Sequence, residues 1–341
     1  MIKSLRTESE IIVNWTNGLG NPLVSVCCMT YNHEFYIDEA ICSFLMQETT
    51  FPFEILISED FSTDNTASIV RKYEKMYPNI IKPIYQKENQ FSKGVRPNLV
   101  FNFPRAKGEY IAICEGDDYW INAKKLQMQV DRMREVPEVD ISFHSSYELK
   151  GDKIGREICS HYTSDRIYTI SEVILGGSEF LPTASIIFKR ELLERIPMWL
   201  YKAPIVDYFL QVLGSSNNGA LYINDSMSIY RVDAINSATK IINASVASKK
   251  EWMDACIISL DELNKELCCK YQYEINKIKS RIYFAVSNFY LDHGMIDDFK
   301  YNMVKYYELL EKIGFKDKFY YIFINFPLSL KLLRTVRNFF L

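Results

Sequence analysis

The sequence predicts an α/β fold in which a mostly parallel sheet is flanked by helices and followed by a C-terminal α-helical module. Between residues 22 and 134, short apolar runs rich in β-branched residues alternate with segments whose apolar residues recur at helical spacing. This alternation is typical of right-handed strand–helix–strand units, whose sheets are parallel and covered on both faces. Beyond residue 248, long periodic segments rich in Lys, Glu, Tyr and Leu indicate three or four further helices.

The order of the elements follows from these patterns and from the turn-forming residues between them. Strands are expected at 23–29, 53–58, 80–85 and 110–114, and helices around 37–45, at 64–77 and at 123–134. Shorter apolar pieces lie at 140–144, 184–188, 220–223 and 227–231. These pieces predict a mixed extension of the same sheet.

Length and composition divide the chain into three parts. At 341 residues it exceeds one small domain. Residues 1–21 show little pattern and end in turn-forming residues, so they are predicted to be an N-terminal extension. Residues 22–245 are predicted to form the α/β domain, and residues 246–341 the helical module.

The overall charge and hydropathy pattern narrow the classes of function. The formal net charge of −3 offers no field that would gather nucleic acid, which argues against a nucleic-acid enzyme. The sequence shows neither a basic-then-apolar signal peptide nor an apolar run of about 18 residues. The expected location is therefore the cytoplasm.

Polar residues follow three of the predicted strands at the point where each strand ends. They lie at 30–33, 59–60 and 115–118, and the last group contains three acids. Ligands of open parallel sheets bind at the carboxyl ends of the strands, so these groups are expected to converge on one ligand. Clustered carboxylates repel unless a positive charge neutralises them, and hard oxygen ligands favour Mg²⁺ or Mn²⁺. A metal carrying a diphosphate fits this pattern.

Simpler roles exist for the same polar residues. Asp117 and Asp118 are also suited to a turn or to capping the next helix. Asp64 is interpreted as a helix cap rather than a ligand, and His33 as the partner in a structural hydrogen bond.

Three blocks of this sequence, in order and at matching spacing, resemble the family 2 glycosyltransferases with a GT-A fold. The blocks are PLVSVCCMTYNH at 22–33, FEILISEDFSTDNT at 53–66 and AKGEYIAICEGDDYW at 106–120, and a looser likeness continues to about residue 240. The resemblance implies a metal-dependent inverting transferase. Its donor would be a nucleotide-sugar, expected to be a UDP-sugar, and its acceptor a hydroxyl of a glycan or of a lipid-linked glycan.

The resemblance also implies which residues bind the donor. The expected donor-binding residues are Thr30, Tyr31, Asn32, Glu59, Asp60, Asp117 and Arg231. Asp60 matches the acid that contacts uracil or ribose, whereas Glu59 stands where relatives commonly have Asp. Asp117 and Asp118 match the DXD-type motif, and Asp118 is expected to bind Mn²⁺ or Mg²⁺.

Further residues are assigned through the same resemblance. An inverting transfer needs a carboxylate that takes the proton of the acceptor hydroxyl. Asp207, just before a predicted helix, resembles the acid with this role, with an ordinary N-cap as the alternative. Many relatives carry a His two residues after the position of Arg231, where this chain has Asp233, and Asp233 is assigned as a second metal ligand. Thr183 and Trp199 are assigned to the acceptor side, although an aromatic such as Trp199 is more often packed.

Rival functions lack their expected sequence signals. A dinucleotide-binding oxidoreductase would show Gly-x-Gly-x-x-Gly after the first strand, and none is present there. A sugar nucleotidyltransferase would need a glycine-rich phosphate loop at the same place. It stays an alternative, as does a nucleotide-sugar-binding protein without transferase activity.

The segment 315–341 differs in charge from the rest of the chain. Five basic residues and one acidic residue give it a charge of +4. A helix after Pro327 would align the apolar residues Leu328, Leu332, Leu333, Val336, Phe339 and Phe340. The pattern predicts a peripheral contact with the inner face of the membrane. The alternative is packing on the helical module or on a second subunit of a homodimer.

Overall fold

The computed structural model describes residues 5–16, 18–232, 234, 242–312 and 314–331. By its internal contacts the chain divides into two compact units, Met1–Ser237 and Ala238–Leu341. The first unit contains the sheet and the second is helical.

The first unit is built on one sheet, which has ten strands within the described residues. The strands are β1 (Val24–Thr30), β2 (Phe53–Glu59), β3 (Ile81–Tyr85), β4 (Tyr110–Ile113), β5 (Tyr119–Trp120), β6 (Ile141–Lys150), β7 (Lys153–Ile158), β8 (Arg166–Tyr168), β9 (Ile187–Lys189) and β10 (Ala220–Arg231). Its helices are α1 (Glu8–Ile12), α2 (Ile37–Leu45), α3 (Thr66–Met76), α4 (Lys125–Glu135), α5 (Ile170–Gly176) and α6 (Val206–Gly214).

The strand order is β3-β2-β1-β4-β9-β6-β10-β5, with β7 beside β6 and β8 beside β10. Strands β3, β2, β1 and β4 are all parallel to their neighbours in this group. Beyond β4 the pairing is mixed, because β9 is antiparallel to both β4 and β6 whereas β6 and β10 are parallel. The predicted α/β fold, with a mostly parallel sheet and a mixed extension, is confirmed.

Strand β2 shows why the central sheet forms. All seven of its residues are buried, including Glu54, so both faces of the sheet are covered. The carboxylate of Glu54 accepts hydrogen bonds from Ser25 Oγ (2.7 Å) and Lys107 N (2.9 Å) and pairs with Lys82 Nζ (3.0 Å). A buried charge is tolerated here because it is paired and hydrogen-bonded.

Three observed strands differ from those predicted. The piece predicted at 140–144 is the first part of β6, which continues to Lys150. The pieces predicted at 220–223 and 227–231 form one strand, β10, whose pairing with β6 shifts register on either side of Ser226. The polar residues that break the apolar pattern are accommodated by this irregularity instead of ending the strand. The strand predicted at 184–188 is shorter, because Thr183–Ser185 forms a 3₁₀ turn before β9.

The residues predicted as an N-terminal extension are packed within the first unit. Ile11 and Trp15 are buried in its core, and the ring of Trp15 lies edge-on to that of Phe53 at 5.4 Å. The guanidinium of Arg6 donates to the carbonyl oxygens of Leu45 and Gln47, at 3.1 and 2.8 Å. Both contacts join the extension to the sheet and to the end of α2.

The second unit consists of helices, as predicted. They are α7 (Val246–Glu266), α8 (Gln272–Asp292), α9 (Ile296–Glu308) and α10 (Phe315–Phe323). Gly294, at φ +75°, allows the tight turn between α8 and α9. None of the described helices has both the length and the apolar character needed to cross a bilayer. Most of the apolar stripe predicted after Pro327 lies at 332–341, outside the described residues.

Gly108 provides a test of the close approach between β1 and the turn before β4. A Cβ at Gly108 would lie 2.5 Å from Ser25 N and 2.7 Å from Val24 C, both rigid backbone atoms. We expect Gly108→Ala to lower the free energy of unfolding by about 2 kcal/mol, because overpacking of this kind typically costs ~1–3 kcal/mol. Denaturant unfolding followed by circular dichroism measures the change.

The matched control is Gly155→Ala in the exposed strand β7. A Cβ there would meet Glu148 Cβ at 3.6 Å, an ordinary contact. We expect this variant to stay within about 0.5 kcal/mol of the native chain. Equal stability of the two variants would contradict the steric explanation.

Candidate functional site

The three polar strand ends meet at one edge of the sheet, as expected. Strand β1 lies between β2 and β4, and Thr30 is in register with Glu59. Just beyond the strands, Asp60 N donates to Thr30 O and Gly116 N donates to Met29 O, both at 3.0 Å. The parallel pairing therefore brings residues 30–33, 59–60 and 115–118 together.

Gly116 lies against the end of β1 without space for a side chain. A Cβ at this position would lie 2.7 Å from Thr30 Oγ1 and 2.9 Å from His33 Nδ1. Both of these side-chain atoms are buried and have no hydrogen-bond partner in the described structure. Residues 115–118 form the acidic loop. Buried polar atoms are usually paired, so two such atoms beside this loop are a feature of a binding site.

The residues after β1 are held by the loop that precedes α3. Asn32, at φ 53°, accepts from Thr63 N at 2.8 Å through Oδ1, and its own N–H donates to Ser62 Oγ at 2.9 Å. Asp64 accepts from the N–H of Thr66, the first residue of α3, and from Glu34 N, but the N-cap of α3 is Asn65, so the interpretation of Asp64 as the N-cap is wrong. Asn32 thus fixes the loop, and Tyr31 before it is partly exposed.

The acids at the end of β2 also fix loops. The carboxylate of Asp60 is buried and accepts from Gln90 N at 2.8 Å and Phe91 N at 3.0 Å. Burial raises the pKa of Asp60, and these two hydrogen bonds oppose the rise. Glu59 Oε1 accepts from Ser62 N at 2.7 Å. In this structure both carboxylates close backbone turns around the site.

Four carboxylates lie together at the end of β4, those of Glu115, Asp117, Asp118 and Asp207. Burial, together with the charges of Asp117 and Asp207, raises the pKa of Glu115 to about 8. Burial and the charge of Asp117 raise the pKa of Asp118 well above its usual range. A positive charge placed here would therefore be strongly favoured.

Arg231, the last residue of β10, holds the acidic loop. Its backbone N–H donates to Asp118 Oδ1, and its Nε donates to the carbonyl oxygen of Asp117, both at 2.8 Å. Its Nη2 pairs with Glu39 Oε2 at 2.7 Å, and its guanidinium lies 4.7 Å from the ring centre of Tyr36. The guanidinium is thus engaged by the protein itself.

Tyr36 and Glu39 were not singled out from the sequence. They lie three residues apart at the start of α2, the helix that follows β1. Helix starts after parallel strands lie at the ligand edge of a sheet, so their position was the available signal.

Asp207 lies with the acidic loop and is held by Thr183. Thr183 Oγ1 donates to Asp207 Oδ2 at 2.8 Å, and Tyr208 N donates to Asp207 Oδ1 at 2.9 Å. Burial raises the pKa of Asp207, and these bonds oppose the rise. The N-cap of α6 is Ile205, so the alternative that Asp207 is the N-cap is wrong.

The turn that carries Thr183 is fixed by side chains from β5 and α4. Trp120 Nε1 donates to the carbonyl oxygen of Ala184 at 2.8 Å, and Gln129 Nε2 donates to that of Ser185 at 2.9 Å. Trp120 lies in β5, two residues after the acidic loop. One buried side chain therefore links the acidic loop to the turn that orients Asp207.

Trp199 and Asp233 are the remaining predicted site residues. The ring of Trp199 packs edge-on against Phe209 of α6 at 5.2 Å, and its Nε1 is buried without a hydrogen-bond partner in the described structure. Asp233 lies outside the described residues.

The carboxylate oxygens of the acidic loop suit a divalent cation that is also bound by a substrate. Mg²⁺ is typically held by one or two protein carboxylates together with substrate phosphates and water. Among the described residues, no three His, Cys, Asp or Glu side chains group as a complete metal site. Asp118 uses Oδ1 for the N–H of Arg231, and a carboxylate has a second oxygen that suits a hard cation.

Two known proteins illustrate the sequence similarity of this chain. The chain is 31% identical over 209 residues to the uncharacterized protein Rv1520 of Mycobacterium tuberculosis, covering 61% of this chain and 58% of that protein. It is 27% identical over 274 residues to the putative teichuronic acid biosynthesis glycosyltransferase TuaG of Bacillus subtilis, covering 80% of this chain and 100% of TuaG. The chain thus spans somewhat more than half the length of the mycobacterial relative.

A solved structure shares the fold. Residues 1–349 of Staphylococcus aureus TarS, in complex with UDP, align with a TM-score of 0.54 at 18% identity, covering 83% of this chain and 90% of that one. The model of glycosyl transferase family 2 matches residues 25–196, which is about half of the chain and includes all three strand ends described above. The chain therefore belongs to glycosyl transferase family 2.

Proposed function

We propose that this protein is a metal-dependent inverting glycosyltransferase that moves a sugar from a UDP-sugar to a hydroxyl of a glycan or lipid-linked acceptor. The observation that carries the proposal is the acidic loop at 115–118, which lies with a separately held carboxylate, Asp207. Membership of the family supports the reaction class.

The proposed donor site is the edge formed by β1 and β2. The base and ribose would contact Thr30, Tyr31 and Asp60, with Asp117 on the ribose and the diphosphate toward Arg231. Asn32 and Glu59 support this site by fixing the loops around it. The choice of UDP is supported by the fold shared with TarS, whose structure contains UDP.

The proposed metal ligand is Asp118, and the ion is Mn²⁺ or Mg²⁺. Such an ion, when bound, neutralises the charge that develops on the leaving diphosphate. The raised pKa values of Asp118 and Glu115 support this assignment, because a nearby positive charge would stabilise carboxylates that burial and mutual repulsion disfavour. Asp233 stays a predicted second ligand.

Asp207 is the proposed general base. Burial raises its pKa, which makes its carboxylate a stronger proton acceptor than an exposed aspartate. The hydrogen bond from Thr183 would hold the carboxylate toward the acceptor hydroxyl, and Trp199 is proposed to contact the acceptor sugar. These roles place the acceptor near α6 and the turn before β9.

The proposed acceptor class is a cell-surface polysaccharide or its lipid-linked precursor. The description of TuaG as a putative teichuronic acid biosynthesis enzyme supports this choice. A lipid-linked acceptor would bring the protein to the inner face of the cytoplasmic membrane. A nucleotide-sugar-binding protein without transferase activity is the rival, and it predicts donor binding without turnover.

The general base is tested by Asp207→Asn, which keeps the shape of the side chain. We expect turnover of the UDP-sugar to fall by about a hundredfold or more with donor affinity kept, because a lost general base costs roughly 10²–10⁴ in rate. Steady-state kinetics together with calorimetric donor binding separate the two effects. Asp131→Asn, on the exposed side of α4, is the control and should leave turnover unchanged. Loss of donor affinity in Asp207→Asn would move this residue to the nucleotide site.

Metal dependence is tested by Asp118→Asn and by a chelator. The asparagine oxygen can still accept the hydrogen bond from Arg231 N, so we expect the fold to remain and turnover to fall by about a hundredfold or more. A chelator should abolish turnover of the native protein, and Mn²⁺ or Mg²⁺ should restore it. Full activity in the chelator would rule out the metal-dependent mechanism.

The charge at Glu115 is tested through the pH dependence of stability. The pKa of Glu115 is about 8 in the folded chain and near 4.5 when unfolded. The folded chain therefore favours the protonated form, and the contribution of Glu115 to the free energy of unfolding is fully present below pH 4.5 and is lost as the pH rises toward 8. We therefore expect Glu115→Gln, without metal or donor, to be more stable than the native chain by about 1 kcal/mol or more at pH 8 and equal to it near pH 4.5.

Thermal unfolding across this pH range measures the difference. Glu138→Gln, at an exposed position, is the control and should follow the native chain at every pH. If the stability of Glu115→Gln and that of the native chain change in parallel with pH, the raised pKa of Glu115 is refuted.

A further inference from the structure

Helix α10 and the residues after it expose a run of large apolar side chains. Phe319, Ile322, Phe326 and Leu328 have exposed fractions of 42%, 62%, 62% and 69%. Phe319 and Ile322 are one helical turn apart and so lie on the same face of α10. Single exposed apolar residues are ordinary, but four within ten residues of the sequence are a concentration that calls for a partner. We call these four residues the α10 surface.

The opposite side of α10 already packs on the second unit. Tyr320, Phe323 and Ile324 contact its core, and the ring of Tyr320 lies edge-on to that of Phe284 at 4.8 Å. After the helix, Leu330 is buried in the same core. The α10 surface is therefore not needed to complete the fold of this unit.

Asp317 orients the helix by bonds toward the core. Its Oδ1 accepts from the hydroxyl of Tyr306, and its Oδ2 accepts from Gly314 N at 2.8 Å. The carbonyl oxygen of Asp317 accepts from the hydroxyl of Tyr307. The one acidic side chain of the segment 315–341 is thus turned into the unit.

The charge of the segment indicates what covers the α10 surface. Segment 315–341 carries five basic residues and one acidic residue, a charge of +4 in a chain of net charge −3. Lys318, next to Phe319, is exposed. Basic and aromatic residues around an apolar surface suit an interface with anionic lipid. A two-fold contact with a second copy would instead oppose two segments of charge +4.

We propose that the α10 surface docks on the surface of an anionic phospholipid bilayer. Phe319, Ile322, Phe326 and Leu328 enter the interfacial layer, and the exposed Lys318 contacts lipid phosphates. The docking is peripheral and reversible, because one short apolar surface buries little area.

Co-sedimentation of the full chain with vesicles tests the proposal. Phosphatidylcholine vesicles with phosphatidylglycerol should bind the protein at low salt, and binding should weaken at high salt or without phosphatidylglycerol. Ile322→Ser should lower the partition coefficient roughly tenfold or more, since it removes a buried aliphatic side chain from the interface. Circular dichroism checks that the variant is folded.

The matched control is Ile258→Ser on α7. Ile258 has the same exposed fraction as Ile322, 62%, and belongs to the same unit. It should leave partitioning unchanged. Absence of binding by the native chain, or equal binding by both variants, would overturn the proposal.

Sedimentation velocity without vesicles tests whether the α10 surface instead binds a second copy of the chain. A self-association that Ile322→Ser abolishes would assign the α10 surface to a second copy and overturn the lipid proposal. The measurements contain neither donor nor acceptor, so their result is independent of the proposed transferase activity.

Discussion

Repulsion among carboxylates at the carboxyl edge of the sheet is the constraint on which the arrangement of the site depends. Burial and the charges of Asp117 and Asp207 raise the pKa of Glu115, and burial and the charge of Asp117 raise the pKa of Asp118. Such a cluster does not persist unless the backbone around it is held firmly. Arg231 provides much of this restraint, because its backbone N–H and its guanidinium both bind the acidic loop.

The rest of the first unit supports that restraint. Strand β10, which ends in Arg231, pairs along most of its length with β6 and so fixes the position of the arginine. The parallel strands β2, β1 and β4 supply the three loops that meet at the edge. Gly116 lets the acidic loop lie directly on the end of β1, where a side chain would collide with Thr30. Each of these features brings negative groups closer together than their charges alone would allow.

The sequence was sufficient to predict features that depend on local patterns. Alternating apolar runs predicted the parallel strands, and polar residues at the ends of those runs predicted which loops would meet. Asp207 and Thr183 were assigned separately, but the hydrogen bond between them depends on the path of the chain over 24 residues. The pair of Glu39 and Arg231 is separated by 192 residues, and no local pattern encodes such a contact. The irregular pairing within β10 was missed because a break in apolar alternation resembles the end of a strand.

The hydrogen bond from Trp120 to Ala184 has a consequence for how such a site can diversify. It sets the spacing between the acidic loop and the turn beside Asp207 from inside the sheet, where both partners are buried. The exposed residues 151–156, which form the turn before β7 and most of that strand, take no part in this connection. Insertions and substitutions can accumulate there over evolutionary time without altering the distance between the two halves of the site. The fold thereby separates the part of the chain that is free to vary from the part that must keep its geometry.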